Sequence, residues 1–292
     1  MNILNEFDLR LGDEQVSPAW QRQATTCLEQ EGIVFFPNLA FVLKENEQDL
    51  LSAACNDGKA KNVSYNCHDH TLRGMCVDDA MKHKLLTMMH RFNEYACDLV
   101  HTMLPEYVSA LQVGRTSYRP VEVYGRKSKS YKKDDSRLHV DAFPANPVQG
   151  RRILRVFSNI HPQGHPRVWR AGESFEAVAK RFLPRVKRPL FPGKFLKCLG
   201  ITKSIRTPYD HMMLQIHDRM KADKVYQKEI KKREIAFPAG STWIVQTDCV
   251  SHAVLSGQFL LEQTFYLPVT AMLNEQLSPL RILETLSGRR LI

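Results

Sequence analysis

A change in the spacing of apolar residues restricts the fold of this chain more than any other feature. Beyond residue 107, apolar residues alternate or cluster in short stretches that are typical of β-strands. A helical and basic stretch at about 172–233 interrupts them. The predicted strands cover residues 112–123, 138–143, 152–160, 234–237, 242–246 and 259–269, together with one that bears His252. Strands on both sides of one helical insertion indicate an α+β chain with a double-stranded β-helix (jelly-roll or cupin-like) core.

The residues before this core are predicted to be mainly helical and to cover one of its sheets. The clearest helix spans about 79–104, where apolar residues recur with the i, i+3, i+4, i+7 spacing of a buried stripe. Asp78 or Asp79 can cap its start, and Pro105 follows its end. Shorter elements precede it, namely a helix at 18–30, a buried strand at 33–37, a helix at 45–54 and a turn-like segment at 57–69.

We therefore expect a single domain over residues 1–292. Its parts would be a mainly helical N-terminal support at 1–107, the jelly-roll core at 108–270 with the insertion at about 172–233, and a C-terminal tail at 271–292.

The net charge of +10 indicates acidic partners, and its distribution is uneven. Nine Lys or Arg and no Asp or Glu lie between Lys180 and Arg206, interleaved with Phe, Leu and Ile. Such a segment suits an anionic lipid surface, where charge attracts and apolar side chains insert. The alternative is a solvated basic face over ordinary core contacts. A second basic stretch, at 126–135, is expected to be a loop.

Cysteine usage and hydropathy bear on the compartment. The seven cysteines are scattered and odd in number, which favours a reduced cytosolic protein. No signal peptide is evident, and the longest apolar stretch, 33–43, is too short to span a bilayer.

The segment 136–144 contains the candidate catalytic chemistry. His139 and Asp141 are two residues apart, so on an extended segment both side chains point to the same face. With His252 they would form the 2-His-1-carboxylate triad that binds Fe(II) in non-haem oxygenases. A His-x-Asp pair alone occurs by chance, and a surface His near an Asp is the simpler alternative. Cys67, His68, His70 and Cys76 also resemble a metal cluster, but their spacing does not match a zinc site.

Arg155 is the candidate for holding a co-substrate. It lies 14 residues after Asp141 on a predicted apolar strand, where a guanidinium needs a buried anion. The distal carboxylate of 2-oxoglutarate would serve, whereas a structural salt bridge is the alternative. Arg151 and Arg152 compete for the role. In one common pattern of this enzyme class the cation lies about ten residues after the distal His, but here that position falls in 261–264, which has no cation, so we look to the strand after Asp141 instead.

Several runs of sequence closely resemble the 3-deoxy-D-manno-oct-2-ulosonic acid (Kdo) hydroxylase family. The runs are SRLHVDAFP at 136–144, GRRILRVFSNIHP at 150–162, PRVWRAGE at 166–173, PYDHMMLQIHD at 208–218 and FPAGSTWIVQTDCVSH at 237–252. The resemblance implies an Fe(II)-, 2-oxoglutarate- and O2-dependent dioxygenase that hydroxylates C3 of Kdo on a lipid A precursor. It also implies His139, Asp141 and His252 as the iron ligands and peripheral attachment at the cytoplasmic face of the inner membrane.

Two other functions remain open at this point. The chain could be a 2-oxoglutarate-dependent hydroxylase of another substrate, such as a protein side chain. It could also be a basic nucleic-acid-binding protein without a metal, although no nucleic-acid motif or aromatic-lined basic strand pair is recognisable, so we expect no nucleic-acid partner.

Overall fold

The computed structural model describes residues 3–9, 16–126, 128 and 130–292. Lys127 and Lys129, in the predicted basic loop, lie outside the described residues. The strands are β1 Leu4–Glu6, β2 Ile33–Phe36, β3 Val63–Asn66, β4 Thr71–Arg73, β5 Gln112–Arg119, β6 Arg152–Asn159, β7 Arg167–Ala171, β8 Arg233–Phe237, β9 Thr242–Gln246, β10 His252–Ser256 and β11 Leu260–Leu267. The α-helices are α1 Pro18–Glu29, α2 Asp79–Met103, α3 Phe175–Phe182, α4 Gly193–Cys198, α5 Pro208–Ala222, α6 Lys224–Glu229 and α7 Pro279–Ser287.

The strands form two sheets that face each other, as the predicted jelly-roll core requires. The larger sheet has eight strands in the order β1-β2-β9-β6-β11-β5-β3-β4, and the smaller has three in the order β10-β7-β8. Neighbouring strands are antiparallel except for the parallel pair β1 and β2. The predicted fold class is confirmed.

The centre of the large sheet is covered on both faces. Every residue of β6 and β9 is buried. Neither strand therefore alternates between buried and exposed residues, as a strand with one face in water would. One face of β5 and β11 packs under α2 through Tyr118 and Leu261. The other face of these strands looks into the space between the two sheets, where the polar side chains described below meet.

The long helix α2 follows from its sequence pattern. Its buried stripe includes Leu85, Met88, Phe92, Ala96 and Met103, as the spacing predicts. The Asp78 side chain accepts a hydrogen bond from the Met81 amide at 2.8 Å and so caps the first turn.

Several short elements of the first 107 residues differ from the sequence-based predictions. The segment 57–69 was expected to be a turn, but it contains β3, which pairs with β4 and β5. The predicted helix at 45–54 is instead two 3₁₀ turns, Glu45–Leu50 and Ala53–Cys55. The first 107 residues therefore contribute four short strands as well as helices. The four-residue strand β2 was predicted, because it is a continuous apolar run. Strands β1, β3 and β4 have too little local pattern to detect, because pairing with other strands stabilises them.

The insertion is helical, as expected, and comprises α3 to α6 between β7 and β8. The tail forms α7. None of the helices among the described residues combines the length and hydrophobicity that a membrane span needs.

Glu31, in the turn between α1 and β2, leads to a prediction about stability. Its carboxylate accepts a hydrogen bond from the Phe175 amide at 2.8 Å, yet burial raises the pKa of Glu31 from 4.5 to about 7. The folded protein therefore binds this proton more tightly than the unfolded chain does, so stability is lost as pH rises from 4.5 towards 7. Glu31→Gln removes this penalty, and we expect it to raise the free energy of unfolding at pH 8 by about 3 kcal/mol, since one pKa unit corresponds to about 1.4 kcal/mol.

Urea unfolding of both proteins at pH 8 and near pH 5 measures the effect. The gain should shrink markedly at the lower pH, where the wild-type carboxyl is protonated more often. A gain of equal size at both pH values would show that Glu31 does not titrate in this range.

Candidate metal centre

The folded chain brings His139, Asp141 and His252 together. One ligand atom from each lies within 4.8 Å of the others, and no other group of this kind occurs among the described residues. The Nε2 atom of His139 is 3.7 Å from Oδ1 of Asp141, and the two imidazole centroids are 4.6 Å apart. The residues Cys67, His68, His70 and Cys76, whose spacing did not match a zinc site, do not assemble into such a group.

Main-chain hydrogen bonds fix the segments that carry these candidate ligands against each other. The amide of His139 donates to the carbonyl of His252 at 3.0 Å, and the reciprocal bond is 2.9 Å. The amide of Asp141 donates to Thr247 O at 2.8 Å. The predicted strand at 138–143 is thus reduced to a single bridge, His139 with His252, beside β10. Its other edge is occupied by Gln227 of α6, whose side chain bonds both the amide and the carbonyl of Leu138.

The histidine tautomers suit metal binding. Nδ1 of His139 lies 2.8 Å from the carbonyl of Arg137, and Nδ1 of His252 lies 2.8 Å from the carbonyl of Val250. A carbonyl oxygen only accepts, so each Nδ1 must donate its proton, which leaves the Nε2 lone pair free as a ligand. These backbone contacts also fix the orientation of each ring.

The charge states suit metal binding as well. Burial, with His252 and Lys221 nearby, holds the pKa of His139 well below its usual value, and burial also lowers the pKa of His252. Burial alone would raise the pKa of Asp141, but the Arg155 guanidinium, together with His252, His139 and a hydrogen bond from Thr247, outweighs burial and keeps that pKa below its usual range. Two neutral imidazoles and one carboxylate are the donor set that non-haem Fe(II) sites use. The residues present therefore fit the implied iron.

The triad opens into a cavity of about 600 Å³ between the two sheets. Its walls come from β3, β5, β6 and β11 on one side, β7 and β10 on the other, and α5 of the insertion. Cations dominate the lining: Lys61, Arg115, Arg119, Lys132, Lys133, Arg155, Arg167 and Lys221. A cavity with this lining favours an anionic ligand beside the metal.

Of the three arginines that the sequence left in competition, Arg155 is the one that lines this cavity. It is 8% exposed, and its guanidinium pairs with Asp141 at 3.1 Å and with Glu262 at 2.9 Å. Arg152 faces away and pairs with the buried Asp248 at 2.7 Å. Arg151 donates to the carbonyl of Val148 at 2.8 Å, outside the cavity lining.

Several polar residues of the cavity were not predicted from the sequence. Glu262 stands ten residues after His252, and Arg119 donates two hydrogen bonds to it at 2.9 and 2.6 Å. Arg167, 2% exposed, donates to the carbonyl of Gly257 at 2.7 Å, and no carboxylate among the described residues lies within 4.0 Å of its guanidinium. Only long-range strand pairing brings these residues together, so no local signal in the sequence marks them.

Two aromatic rings flank the triad. The Trp169 ring of β7 stacks on His252 with centroids 5.0 Å apart, and the His217 ring of α5 meets His139 edge-on at 5.4 Å. His217 comes from the insertion, which therefore forms part of the cavity wall next to the candidate metal ligands.

Comparisons with known proteins agree with this geometry. The family model for 3-deoxy-D-manno-oct-2-ulosonic acid (Kdo) hydroxylase matches residues 12–290. The chain is similar to a crystal structure of the Kdo hydroxylase KdoO with cobalt(II), a non-haem Fe(II) α-ketoglutarate-dependent dioxygenase, at 45% identity and a TM-score of 0.95. That similarity covers 100% of this chain and 98% of the other.

Two further structures of KdoO give the same result. The complex with α-ketoglutarate and Fe(III) is 44% identical, with a TM-score of 0.94 over 99% of this chain and 97% of the other. The complex with succinate and Fe(III) is 44% identical, with a TM-score of 0.94 over 100% and 98%. No curated protein matches the chain.

Proposed function

The chain belongs to the Kdo hydroxylase family, and from that premise we propose which reaction it performs and which residues perform it. It is an Fe(II)- and 2-oxoglutarate-dependent dioxygenase that hydroxylates Kdo. We propose that the hydroxylated carbon is C3 and that the sugar is attached to a lipid A precursor. The observation that carries the proposal is the triad at the base of a cation-lined cavity, with both Nε2 atoms free for a metal.

His139, Asp141 and His252 would hold Fe(II) on one side and leave the remaining positions facing the cavity. When bound, the iron supplies the oxygen chemistry, in which 2-oxoglutarate and O2 are consumed and succinate and CO2 are released. The task of the protein is to hold co-substrate and sugar in register with the metal. No nucleophile from the protein is required.

Arg155 would hold the C5 carboxylate of 2-oxoglutarate. Near it, the buried Arg155 and the half-buried Arg119 pair with two carboxylates, Asp141 and Glu262, while the buried Arg167 has no carboxylate partner among the described residues. These five groups together carry one positive charge in excess. A buried excess charge needs a counter-ion. An incoming carboxylate would complete the network, which supports this part of the cavity as the co-substrate site.

Succinate formation tests the proposed function. Iron-loaded protein should release succinate from 2-oxoglutarate when a Kdo-bearing lipid A precursor is present, and much less with a peptide or with no second substrate. Stimulation by peptide alone would favour a protein hydroxylase instead.

We further propose that the enzyme docks on the anionic surface of the inner membrane, at its cytoplasmic face. Lys187, Arg188, Lys194, Lys197 and Lys203 are exposed and form no ion pair within the described part of the chain. By contrast, Lys180, Arg181 and Arg185 pair with Glu176, Glu173 and Asp223. The seven cysteines are all unpaired, which suits a reducing compartment.

Replacing Lys187, Arg188, Lys194 and Lys197 by Gln should weaken binding to anionic vesicles at least about tenfold, because each cation near such a surface contributes about 1 kcal/mol. Added salt should weaken the wild-type protein in the same way. Vesicle sedimentation measures the binding. The matched control replaces the exposed Lys59, Lys82, Lys224 and Lys228 by Gln, which removes the same charge elsewhere. Activity on detergent-dispersed substrate should change little, and equal losses on dispersed and embedded substrate would contradict a membrane role.

A further inference from the structure

The insertion exposes an unusual apolar surface. Residues 187–206, which we call the docking segment, include α4 and its flanking turns. Six of its large apolar side chains are at least 37% exposed: Leu190, Phe191, Phe195, Leu199, Ile201 and Ile205. Leu190 reaches 92%, and the rings of Phe191 and Phe195 lie 5.6 Å apart. Side chains of this kind are rarely left in water together without a binding role.

The docking segment is bonded to the loop at 142–149, which we call the mouth loop. The amide of Lys203 donates to the carbonyl of Ala145 at 2.9 Å. The side chains of Ser204 and Arg206 donate to the carbonyls of Pro147 and Pro144. In return, the Gln149 side chain donates to the carbonyl of Ile205 at 3.1 Å. Four hydrogen bonds therefore join the two segments.

The mouth loop borders the catalytic cavity. It follows Asp141 directly, and Ala142, Phe143, Pro144 and Asn146 line the cavity wall. Pro144 and Ala145 are exposed, so the loop has one side in the cavity and one in solvent. The surface that carries the apolar and basic side chains is thus continuous with the opening through which a substrate reaches the metal ligands.

We propose that the docking segment and the mouth loop form one bilayer-facing surface, so that the cavity opens directly onto an anionic membrane. The enzyme then takes the acidic sugar of a lipid-anchored substrate in place, without lifting the lipid from the bilayer. This inference rests on the proposed lipid-linked substrate. Insertion of the apolar side chains sets the depth of docking, while the five unpaired cations attract the anionic headgroups.

A second copy of the chain fits this surface less well. A two-fold dimer through the docking segment would place its five unpaired cations opposite the same five cations of the partner. Like charges that face each other across an interface cost several kcal/mol. An anionic bilayer supplies the opposite charge and an apolar interior together.

Single-site fluorescent labelling tests the geometry. The background variant replaces the two exposed cysteines, Cys76 and Cys198, by Ser. An environment-sensitive thiol probe is placed in turn at Cys198, restored in this background, at Asn146→Cys in the mouth loop, and at Lys82→Cys on α2, which covers the outer face of the large sheet. The background alone reports any labelling of the other five cysteines. Vesicles contain phosphatidylcholine with or without phosphatidylglycerol.

Vesicles with phosphatidylglycerol should shift the emission of the probes at Cys198 and Asn146→Cys to the blue, while the probe at Lys82→Cys stays unchanged. A shift at Cys198 alone would overturn the inference, since the mouth would then point away from the bilayer. Absence of any shift would overturn it too, as would a shift that needs no vesicles and grows with protein concentration, which indicates a second copy. If Asn146→Cys does not fold, Ala145→Cys takes its place.

The labelling experiment and the succinate assay test different claims, so either can fail while the other succeeds. Shifts at both positions without succinate release from the lipid would reject the proposed substrate and leave the membrane-facing surface intact. Succinate release from dispersed lipid without any emission shift would reject the membrane-facing surface and leave the proposed substrate intact.

Discussion

Alanine in place of His139, Asp141 or His252 abolishes hydroxylation and leaves the chain folded, if these residues hold the iron. Each side chain would supply one of the three protein ligand atoms. The bonds that fix the two segments run between backbone groups of His139 and His252, so they survive truncation of the side chains. Succinate release measures turnover, metal analysis after anaerobic loading measures iron content, and thermal unfolding monitors the fold.

His68→Ala is the matched control for these variants. His68 is exposed and belongs to the other histidine- and cysteine-rich segment that the sequence brings to attention. It should keep full activity and full iron content. Alanine variants of the triad that still bound iron fully and remained active would contradict the assignment of these residues as iron ligands.

Arg155→Ala raises the concentration of 2-oxoglutarate needed for half-maximal activity by about 30-fold to about 5,000-fold. The estimate follows because truncating one partner of a buried charged pair costs roughly 2–5 kcal/mol. Calorimetry with 2-oxoglutarate and iron-loaded protein, without oxygen, should show the same loss in affinity. Iron content is measured in parallel, because Arg155 also pairs with Asp141, a proposed iron ligand.

Two variants separate co-substrate binding from structure. Arg151→Ala removes a neighbouring arginine outside the cavity and should leave 2-oxoglutarate affinity unchanged. Arg155→Lys keeps the charge and should lose less affinity than the alanine variant. If Arg155→Ala bound 2-oxoglutarate normally while Arg167→Ala did not, the buried arginine of β7 would be the better assignment.

Strand periodicity explains why the sequence makes Arg155 a candidate. Side chains alternate across a strand, so Arg155 shares a face with Ile153 and Phe157, and that face of β6 looks into the cavity. The sequence could not dismiss Arg152, because every residue of β6 is buried and both arginines have buried carboxylate partners. Only the position of Asp248 shows that Arg152 turns to the other side.

Long-range pairing limits what the sequence could predict of the site. Thr264 on β11 faces Arg155 on β6, and Glu262 faces Ser117 on β5, a register that brings Arg119, Arg155 and Glu262 together. Sequence separations of more than a hundred residues leave no local trace of that meeting. The absence of a cation after His252 was visible, but its consequence, a carboxylate held by two arginines, was not.

The segment with His139 and Asp141 is less regular than the sequence predicts. An extended strand at 138–143 was expected, whereas a single bridge at His139 is present. The reason lies in the insertion, whose Gln227 satisfies the Leu138 backbone in place of a neighbouring strand. A side-chain amide from a separate helix cannot be read from the local pattern of apolar residues.

The fate of the oxygen atom tests the central claim most directly. Iron-loaded protein is mixed with 2-oxoglutarate, isotopically labelled O2 and a Kdo-bearing lipid A precursor, and the lipid is analysed by mass spectrometry with fragmentation. One labelled oxygen on the sugar, at C3, with one succinate formed per hydroxylated lipid, is the predicted result. Succinate formed without oxygen on the sugar, or no reaction by iron-loaded protein, would contradict the assignment.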